Sequence, residues 1–184
     1  LAIAHQTIVQ LTLEDIGRGA TPVLVAALRT TDPQARREIL RALGHIKDAA
    51  ALPYLIYHSG DAETDDIARQ NAADGVRATR SMFPSFGVST FTELGYAYLT
   101  RHDLLVDPYR VSPTVRFWFA KPDGDTFSER MAYRLVPRIV QHFANAKECF
   151  YRSLEVNEDN GGAMRGMALA YAGSQASGAG TESI

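Results

Sequence analysis

Cysteine, tryptophan and long apolar runs are scarce in this chain. It has one cysteine and one tryptophan among 184 residues. A single thiol excludes an internal disulfide framework and a thiolate metal cluster, and the helical surroundings of Cys149 predict a buried structural thiol. No apolar run reaches the roughly 20 residues that cross a bilayer. We therefore expect neither a membrane span nor cysteine chemistry.

The chain also lacks an excess of charge of either sign. Its 19 Lys and Arg residues and 21 Asp and Glu residues give a formal net charge of -2, and both halves of the chain are close to neutral. Proteins that bind nucleic acid usually carry a basic patch that faces the phosphates. Nucleic acid is therefore not expected as the default partner.

Sequence motifs of known chemistry are missing as well. No histidine is followed by glutamate, which excludes the ligand pattern of di-iron hydroxylases, and no zincin, phosphate-loop, dinucleotide or nucleophile-elbow pattern occurs. The acidic run Asp61–Asp66 lacks the glycine and the glutamate of an EF-hand loop, so it is interpreted as a solvated loop at a helix N-terminus. We expect no catalytic residue, no metal and no cofactor, and hence no enzyme.

The N-terminal residues bear on localisation. Leu1–Leu13 lacks the basic segment and the small-residue cleavage site of a secretory signal. A cytoplasmic location is therefore favoured, and a signal upstream of Leu1 is left open.

What the chain has in abundance is apolar residues at helical spacing. Asp32 is a good N-cap and is followed by a proline, which predicts a helix over Pro33–Ile46 with a broad apolar stripe. A second helix opens near Ala50 and ends around Ser59–Gly60. Together they predict a helical hairpin.

The same order of features recurs on either side of this hairpin. Thr21–Leu28 matches the helix around Leu52–Leu55 at an offset of 31, and Ile67–Val76 matches Ala35–Leu43 at an offset of 33. Because a lone helical hairpin cannot cover its own apolar face, such repeats stack into a solenoid.

The repeat pattern resembles a known family. Asp-x-x-x-Arg, then Ala-Leu-Gly-x-Ile and x-Leu-Pro-x-Leu, is similar to the short HEAT repeat of phycobilisome-lyase-type proteins, over about residues 1–80. The resemblance implies the fold rather than an activity. It also implies structural contacts between repeats for Asp32, Arg36 and Arg69.

The polar face of the inner helices supplies the first candidate site. It is predicted to carry Arg37, Arg41, Gln70, Asp74 and Arg77. These residues suit a concave surface for a partner, and the alternative is an ordinary solvated face.

The C-terminal half has a different pattern. Phe91-x-x-Leu94-Gly95-x-x-Tyr98 resembles the first helix of a tetratricopeptide repeat with Phe in place of Trp, and Ala146-x-x-x-Phe150 resembles the second helix. Some forty extra residues separate the two helices. The predicted domains are 1–84 for the HEAT-like repeats and 85–172 for the tetratricopeptide-like helices, with an insertion at about 103–136.

The insertion contains the second candidate site. Thr114–Ala120 is rich in strand formers and precedes a turn signal and Thr126–Phe127, which predicts a short β-hairpin. Its aromatic residues are Phe117, Trp118 and Phe119, for which two readings remain, a cap on the solenoid core or an aromatic groove that binds a ligand.

Two further expectations concern the C-terminal residues. Pro137 fits the first turn of a long helix whose apolar face runs through Ile139 and Phe143. The Gly- and Ser-rich segment 173–184 is predicted to be a flexible tail.

These inferences combine into one prediction. The fold class is all-α, a right-handed α-α superhelix with a tetratricopeptide-like C-terminal hairpin and a small β-hairpin insertion, which resembles bacterial HEAT-repeat proteins of the planctomycete type. The predicted function is a non-catalytic scaffold that binds a protein or peptide. The alternatives are a lyase or chaperone for a tetrapyrrole-type ligand, by analogy with the HEAT family, and weak nucleic-acid binding.

Overall fold

The computed structural model describes residues 16–105, 113–121 and 131–177. In this part of the chain the protein is mostly helical with one two-stranded sheet, which confirms the sequence prediction at that level. The helices are α1 (Thr21–Ala27), α2 (Pro33–Ile46), α3 (Leu52–Gly60), α4 (Asp66–Met82), α5 (Phe91–Leu99), α6 (Gln141–Val156) and α7 (Gly161–Ala176). The strands are β1 (Thr114–Ala120) and β2 (Met131–Pro137).

Local capping sets where the helices begin and end. The Asp32 side chain accepts a hydrogen bond from the Gln34 N–H at 2.9 Å, and Pro33 occupies the first turn, so α2 begins where the sequence predicts. Asp65 caps α4 in the same way. α2 ends at Ile46, and the following residue, Lys47, turns the chain out of the helix with a φ of 54°.

The described residues form two compact units. One contains residues up to Gly87 together with Trp118–Ala132, and the other contains Val88–Phe117 and the residues from Tyr133 onward. The sequence prediction placed the insertion (about 103–136) with the second domain. The domain boundaries that the sequence suggests stay a prediction.

In the first unit α2 packs along α4, and α3 packs against α4. α2 and α4 run in the same direction, because Arg37 meets Asp65 at the start of α4 and Gly44 meets Gly75 further along. They are also the two helices that the 33-residue offset relates. Equivalent helices of successive repeats therefore stack side by side, as a solenoid requires.

Two glycines allow the backbones of α2 and α4 to touch. A Cβ added at Gly44 would lie 2.9 Å from the Cα of Gly75, and a Cβ added at Gly75 would lie 3.0 Å from the Cα of Gly44 and 3.1 Å from Leu55 Cδ2. Carbon atoms normally approach to about 3.5–4 Å. The contact therefore requires glycine on both helices.

The core of the first unit is built from leucines that the helical spacing directs inward. Leu40 and Leu43 of α2 and Leu52 and Leu55 of α3 are at most 1% exposed. Full burial of a leucine side chain contributes about 1.5–3 kcal/mol each, so these side chains supply a large part of the stability of the unit.

In the second unit α6 packs against both α5 and α7. Phe150 of α6 is fully buried between two glycines, since a Cβ at Gly95 would lie 2.5 Å from its Cε1 and a Cβ at Gly166 would lie 2.2 Å from its Cζ. Phe143 fills a similar space at Gly173, where a Cβ would lie 2.3 Å from its Cε1. α6 and α7 are therefore antiparallel, and the two phenylalanine rings of α6 occupy the spaces above two glycines of α7.

A small polar network joins the three helices of the second unit. The hydroxyls of Thr92 and Ser153 are 2.6 Å apart, and the Asn160 side-chain amide donates to them at 3.1 and 3.0 Å. The Asn160 side-chain oxygen Oδ1 accepts from the Ala163 N–H at 3.0 Å and so caps α7. This network fixes the turn between α6 and α7.

The insertion forms an antiparallel pair of strands. The Arg138 N–H, directly after β2, donates to the Pro113 carbonyl oxygen, directly before β1, at 2.8 Å. The strand predicted over Thr114–Ala120 is confirmed, but its partner in the structure is β2. The predicted partner, Thr126–Phe127, lies outside the described residues.

Two expectations about the helices of the C-terminal half are wrong. Pro137 ends β2 instead of opening a helix, and α6 begins only at Gln141, so Ile139 lies in a 3-10 turn and is 63% exposed. The helix α7 continues through Gly173 to Ala176, into the segment predicted as a flexible tail. The reason is packing, because the ring of Phe143 needs the space at Gly173.

Candidate functional site

Five of the predicted partner-binding residues lie on the stacked helices α2 and α4. We call this set the α2–α4 surface, and it consists of Arg37, Arg41, Gln70, Asp74 and Arg77. Positions 37 and 41 share one face of α2, and positions 70, 74 and 77 share one face of α4, because residues three or four apart are neighbours on a helix. Gln70, Asp74 and Arg77 are exposed, and the two arginines of α2 are half-buried.

Arg37 connects the two helices of this surface. Its Nε donates to Asp65 Oδ1 at 2.8 Å, and its carbonyl oxygen accepts from the Asn71 side chain at 3.2 Å. Although burial opposes ionisation of Asp65, the hydrogen bonds from the Ala68 N–H and from Arg37 hold its pKa below the ordinary value. Arg37 therefore stabilises the stack in addition to forming part of its surface.

The other charges of the α2–α4 surface pair within their own helices. Arg41 bonds to Glu38, and Arg77 bonds to Asp74, which also accepts from Gln70 Nε2 at 2.8 Å. Together with the Arg37–Asp65 pair, three arginines meet three carboxylates. The surface is thus polar and ordered, without a positive stripe.

The contacts between repeats differ from those that the family resemblance implies. Asp32 caps its own helix, the Arg36 Nη2 donates to the Thr30 carbonyl oxygen at 2.8 Å, and Arg69 bonds to Asp66 one turn away. All of these bonds are local. The bonds between α2 and α4 come from Arg37 and Asn71 instead, and sequence spacing alone did not indicate that pairing.

The three aromatic residues predicted as a partner anchor lie on β1 and are half-buried. Because successive side chains of a strand point to opposite faces, Trp118 lies on the opposite face from Phe117 and Phe119. The guanidinium of Arg134, on β2, lies 5.1 Å from the centre of the Phe117 ring. The three rings therefore do not form one continuous patch.

A His–Thr–Asp chain in the first unit resembles a catalytic arrangement. His58 Nδ1 lies 3.1 Å from the Thr64 hydroxyl, which donates to Asp61 Oδ2 at 2.7 Å. The hydroxyl has one hydrogen, so His58 must donate to Thr64 and does not act as its base. His58 and Thr64 are buried. Although burial opposes ionisation, the hydrogen bond from Thr64 holds the Asp61 pKa below its ordinary value, so the chain stabilises the loop between α3 and α4.

The second unit contains a cluster that sequence reasoning missed, formed by Arg134, Lys147, Tyr151 and Tyr171. We call it the cation–tyrosine cluster. Lys147 Nζ lies 4.7 Å from the centre of the Tyr171 ring, and the Tyr151 and Tyr171 hydroxyls are 3.3 Å apart. The only sequence signal was the i, i+4 spacing of Lys147 and Tyr151 on α6, which is common on helices.

Burial and neighbouring groups shift the pKa values of two residues of this cluster. Partial burial, with a smaller effect from the charge of Arg134, lowers the pKa of Lys147. The hydrogen bond with Tyr151, together with burial, raises the pKa of Tyr171. Lys147 thus lies against the Tyr171 ring and feels the positive charge of Arg134.

Within residues 16–105, 113–121 and 131–177, no group of three or more His, Cys, Asp and Glu side chains is arranged to hold a metal ion. Across the same residues, every helix is too short or too polar to cross a membrane.

These observations define a class, a helical protein with a solenoid-like stack of equivalent helices. Comparison with protein families agrees, because residues 3–77 match the family model of HEAT repeats. The matched segment ends within α4 and includes α1, α2 and α3. No curated protein and no solved structure matches the chain.

Proposed function

We propose that this protein is a non-catalytic scaffold that binds a protein or peptide partner through the α2–α4 surface. The observation that carries the proposal is the backbone contact between Gly44 and Gly75, which holds two polar helix faces side by side. A surface that is already ordered loses little conformational entropy on association. HEAT repeats commonly serve as protein-interaction scaffolds, and residues 3–77 match that family.

The charges of the surface favour a protein over a nucleic acid as the partner. Each arginine of the α2–α4 surface is matched by a carboxylate, whereas phosphate backbones attract uncompensated positive charge. Exchangeable ion pairs and exposed amides suit a polar protein surface, which presents both donors and acceptors. Nothing in the described residues favours the tetrapyrrole-lyase alternative, so it is not part of the proposal.

The proposal includes a finer architecture. We infer that the stack of α2 and α4 belongs to a right-handed superhelix and that α5 and α6 form a tetratricopeptide-like hairpin. The contact of Gly95 with Phe150 supports the second inference, since it joins the two motif halves across the long insertion.

Affinity capture with matched variants tests the function. The affinity of the double variant Arg41→Ala/Arg77→Ala for the partner is expected to fall at least about tenfold. This size of effect is typical of an interface hot spot. Trp118→Ala tests the second predicted anchor. Arg165→Ala is the control, because it removes an exposed arginine from α7 in the other unit.

The outcomes separate the candidates. Loss of the same captured proteins by the double variant, but not by the control, supports the α2–α4 surface. Loss by Trp118→Ala alone would move the site to β1. Equal recovery by all variants, quantified by mass spectrometry, would mean that neither surface binds a partner.

A further inference from the structure

The cation–tyrosine cluster carries charge that the described structure does not balance. Within residues 16–105, 113–121 and 131–177, neither Lys147 nor Arg134 has a carboxylate at ion-pair distance. The nearby carboxylates of α6 are engaged elsewhere, because Glu148 and Glu155 both pair with Arg152, at 3.4 and 3.3 Å. Among the residues that the structure describes, the two cations therefore have no carboxylate partner, although the charge of Arg134 acts on Lys147.

Arg134 adds hydrogen-bond donors to the cluster. In the described structure its Nε is buried and has no hydrogen-bond partner, a state that it shares with the Nε atoms of Arg36, Arg41 and Arg152. A buried donor without a partner costs free energy, and the guanidinium carries four further N–H donors for an acceptor. The Arg134 guanidinium lies over the Phe117 ring, 5.1 Å from the ring centre, in a cation–π contact.

The two tyrosines add donors and keep the site open. Tyr151 and Tyr171 are 45% and 37% exposed, so a ligand can reach their hydroxyls. One of the two hydroxyls donates to the other across 3.3 Å, which leaves the second hydrogen for a ligand. The ring of Tyr171 also holds Lys147 in place through a cation–π contact.

We propose that Arg134, Lys147, Tyr151 and Tyr171 bind an oxyanion, a carboxylate or a phosphate group, in the second unit of the protein. An ammonium, a guanidinium and a phenol hydroxyl together present the donors that such a group accepts. The site is separate from the α2–α4 surface and does not depend on it. Its occupant is either a small free anion or an acidic side chain of a bound peptide, and both share this chemistry.

Titration of the full chain tests the site. Inorganic phosphate and a short acetylated, amidated tetraglutamate peptide serve as probes, and calorimetry or amide chemical shifts in α6 and α7 report binding. Saturable binding by the wild type is expected with at least one probe. Lys147→Gln is expected to weaken it about tenfold or more, since a charge-assisted hydrogen bond is lost.

Two further variants separate ligand binding from folding. Tyr171→Phe keeps the ring against Lys147 and removes only the hydroxyl, so the fold is retained while binding weakens. Arg165→Gln removes the same charge from the exposed face of α7 and is expected to bind like the wild type.

The results decide the proposal and the source of the anion. Phosphate binding indicates a free anion, and binding of the peptide alone indicates an acidic segment. Absence of saturable binding with both probes overturns the proposal, as does an equal loss in Arg165→Gln, which would indicate general charge attraction.

Discussion

Alanine in place of Gly44 is expected to destabilise the first unit, although helix propensity predicts the opposite. Alanine is favoured over glycine inside a helix by about 1 kcal/mol. The new Cβ, however, would lie 2.9 Å from the Gly75 Cα, and the neighbour is backbone that cannot rotate away. Overpacking of this kind costs about 1–3 kcal/mol. Because the whole α2–α4 contact must open, we expect the upper part of that range and a net loss of about 1–2 kcal/mol.

Thermal unfolding followed by circular dichroism measures this change. For a chain of this length the expected loss lowers Tm by about 2–8 °C. Gly60→Ala is the matched control, because no atom lies within 4 Å of the added Cβ and the backbone is not left-handed. That variant is expected to keep its Tm or to gain about 0.4–1 kcal/mol.

Hydrogen exchange locates the effect. Amides of α2 and α4 are expected to exchange faster in Gly44→Ala, while those of α6 keep their protection. A Tm that equals or exceeds that of the wild type would refute the reasoning. The direction of the Tm change decides between the two effects, because helix propensity predicts a rise and packing predicts a fall.

Three further predictions follow from burial and charge. Gly166→Ala should lower the free energy of unfolding by about 2–3 kcal/mol in urea titrations, because Phe150 is fully buried and cannot withdraw; a stabilised variant would contradict this. Burial raises the pKa of the Cys149 thiol, so the native protein should react with a thiol reagent only on unfolding, and rapid native labelling would be inconsistent. The native pKa of Asp65 lies below its unfolded value of about 4, so its stabilisation is present above that pH and is lost as the pH falls through the native pKa. Tm should therefore fall less between about pH 6 and pH 3 in Asp65→Asn, which keeps the cap but not the ion pair with Arg37, and parallel curves would contradict the reasoning.

The elements that could be predicted from the sequence are those that local chemistry determines. Asp32 and Pro33 specify the start of α2 without any distant contact. β1 was predicted with its observed bounds because β-branched and aromatic residues are concentrated there. β2 was missed, since Met131–Pro137 contains Ala and Arg and its strand conformation depends on pairing with β1.

The candidate sites could be predicted from the sequence even less fully than the helices and strands. Helical spacing placed Gln70, Asp74 and Arg77 on one face of α4, which needs only the geometry of one helix. The pairing of Arg37 with Asp65 was out of reach, because it depends on how two helices stack. The cation–tyrosine cluster draws on a strand and two helices, so no spacing along the chain identifies it.

The arrangement of Phe143 and Phe150 opposite Gly173 and Gly166 has a consequence for how the chain tolerates length changes. Both pairs are seven residues apart, and no other register of Gly161–Ala176 places glycines opposite both rings, so α7 cannot slide along α6 without driving a ring into a side chain or losing its contact. Inserting or deleting a single residue in the turn between them would uncouple both rings at once. Variation in length is therefore expected to accumulate before Gln141, where the insertion already lies, and to be excluded from the short link that follows Val156.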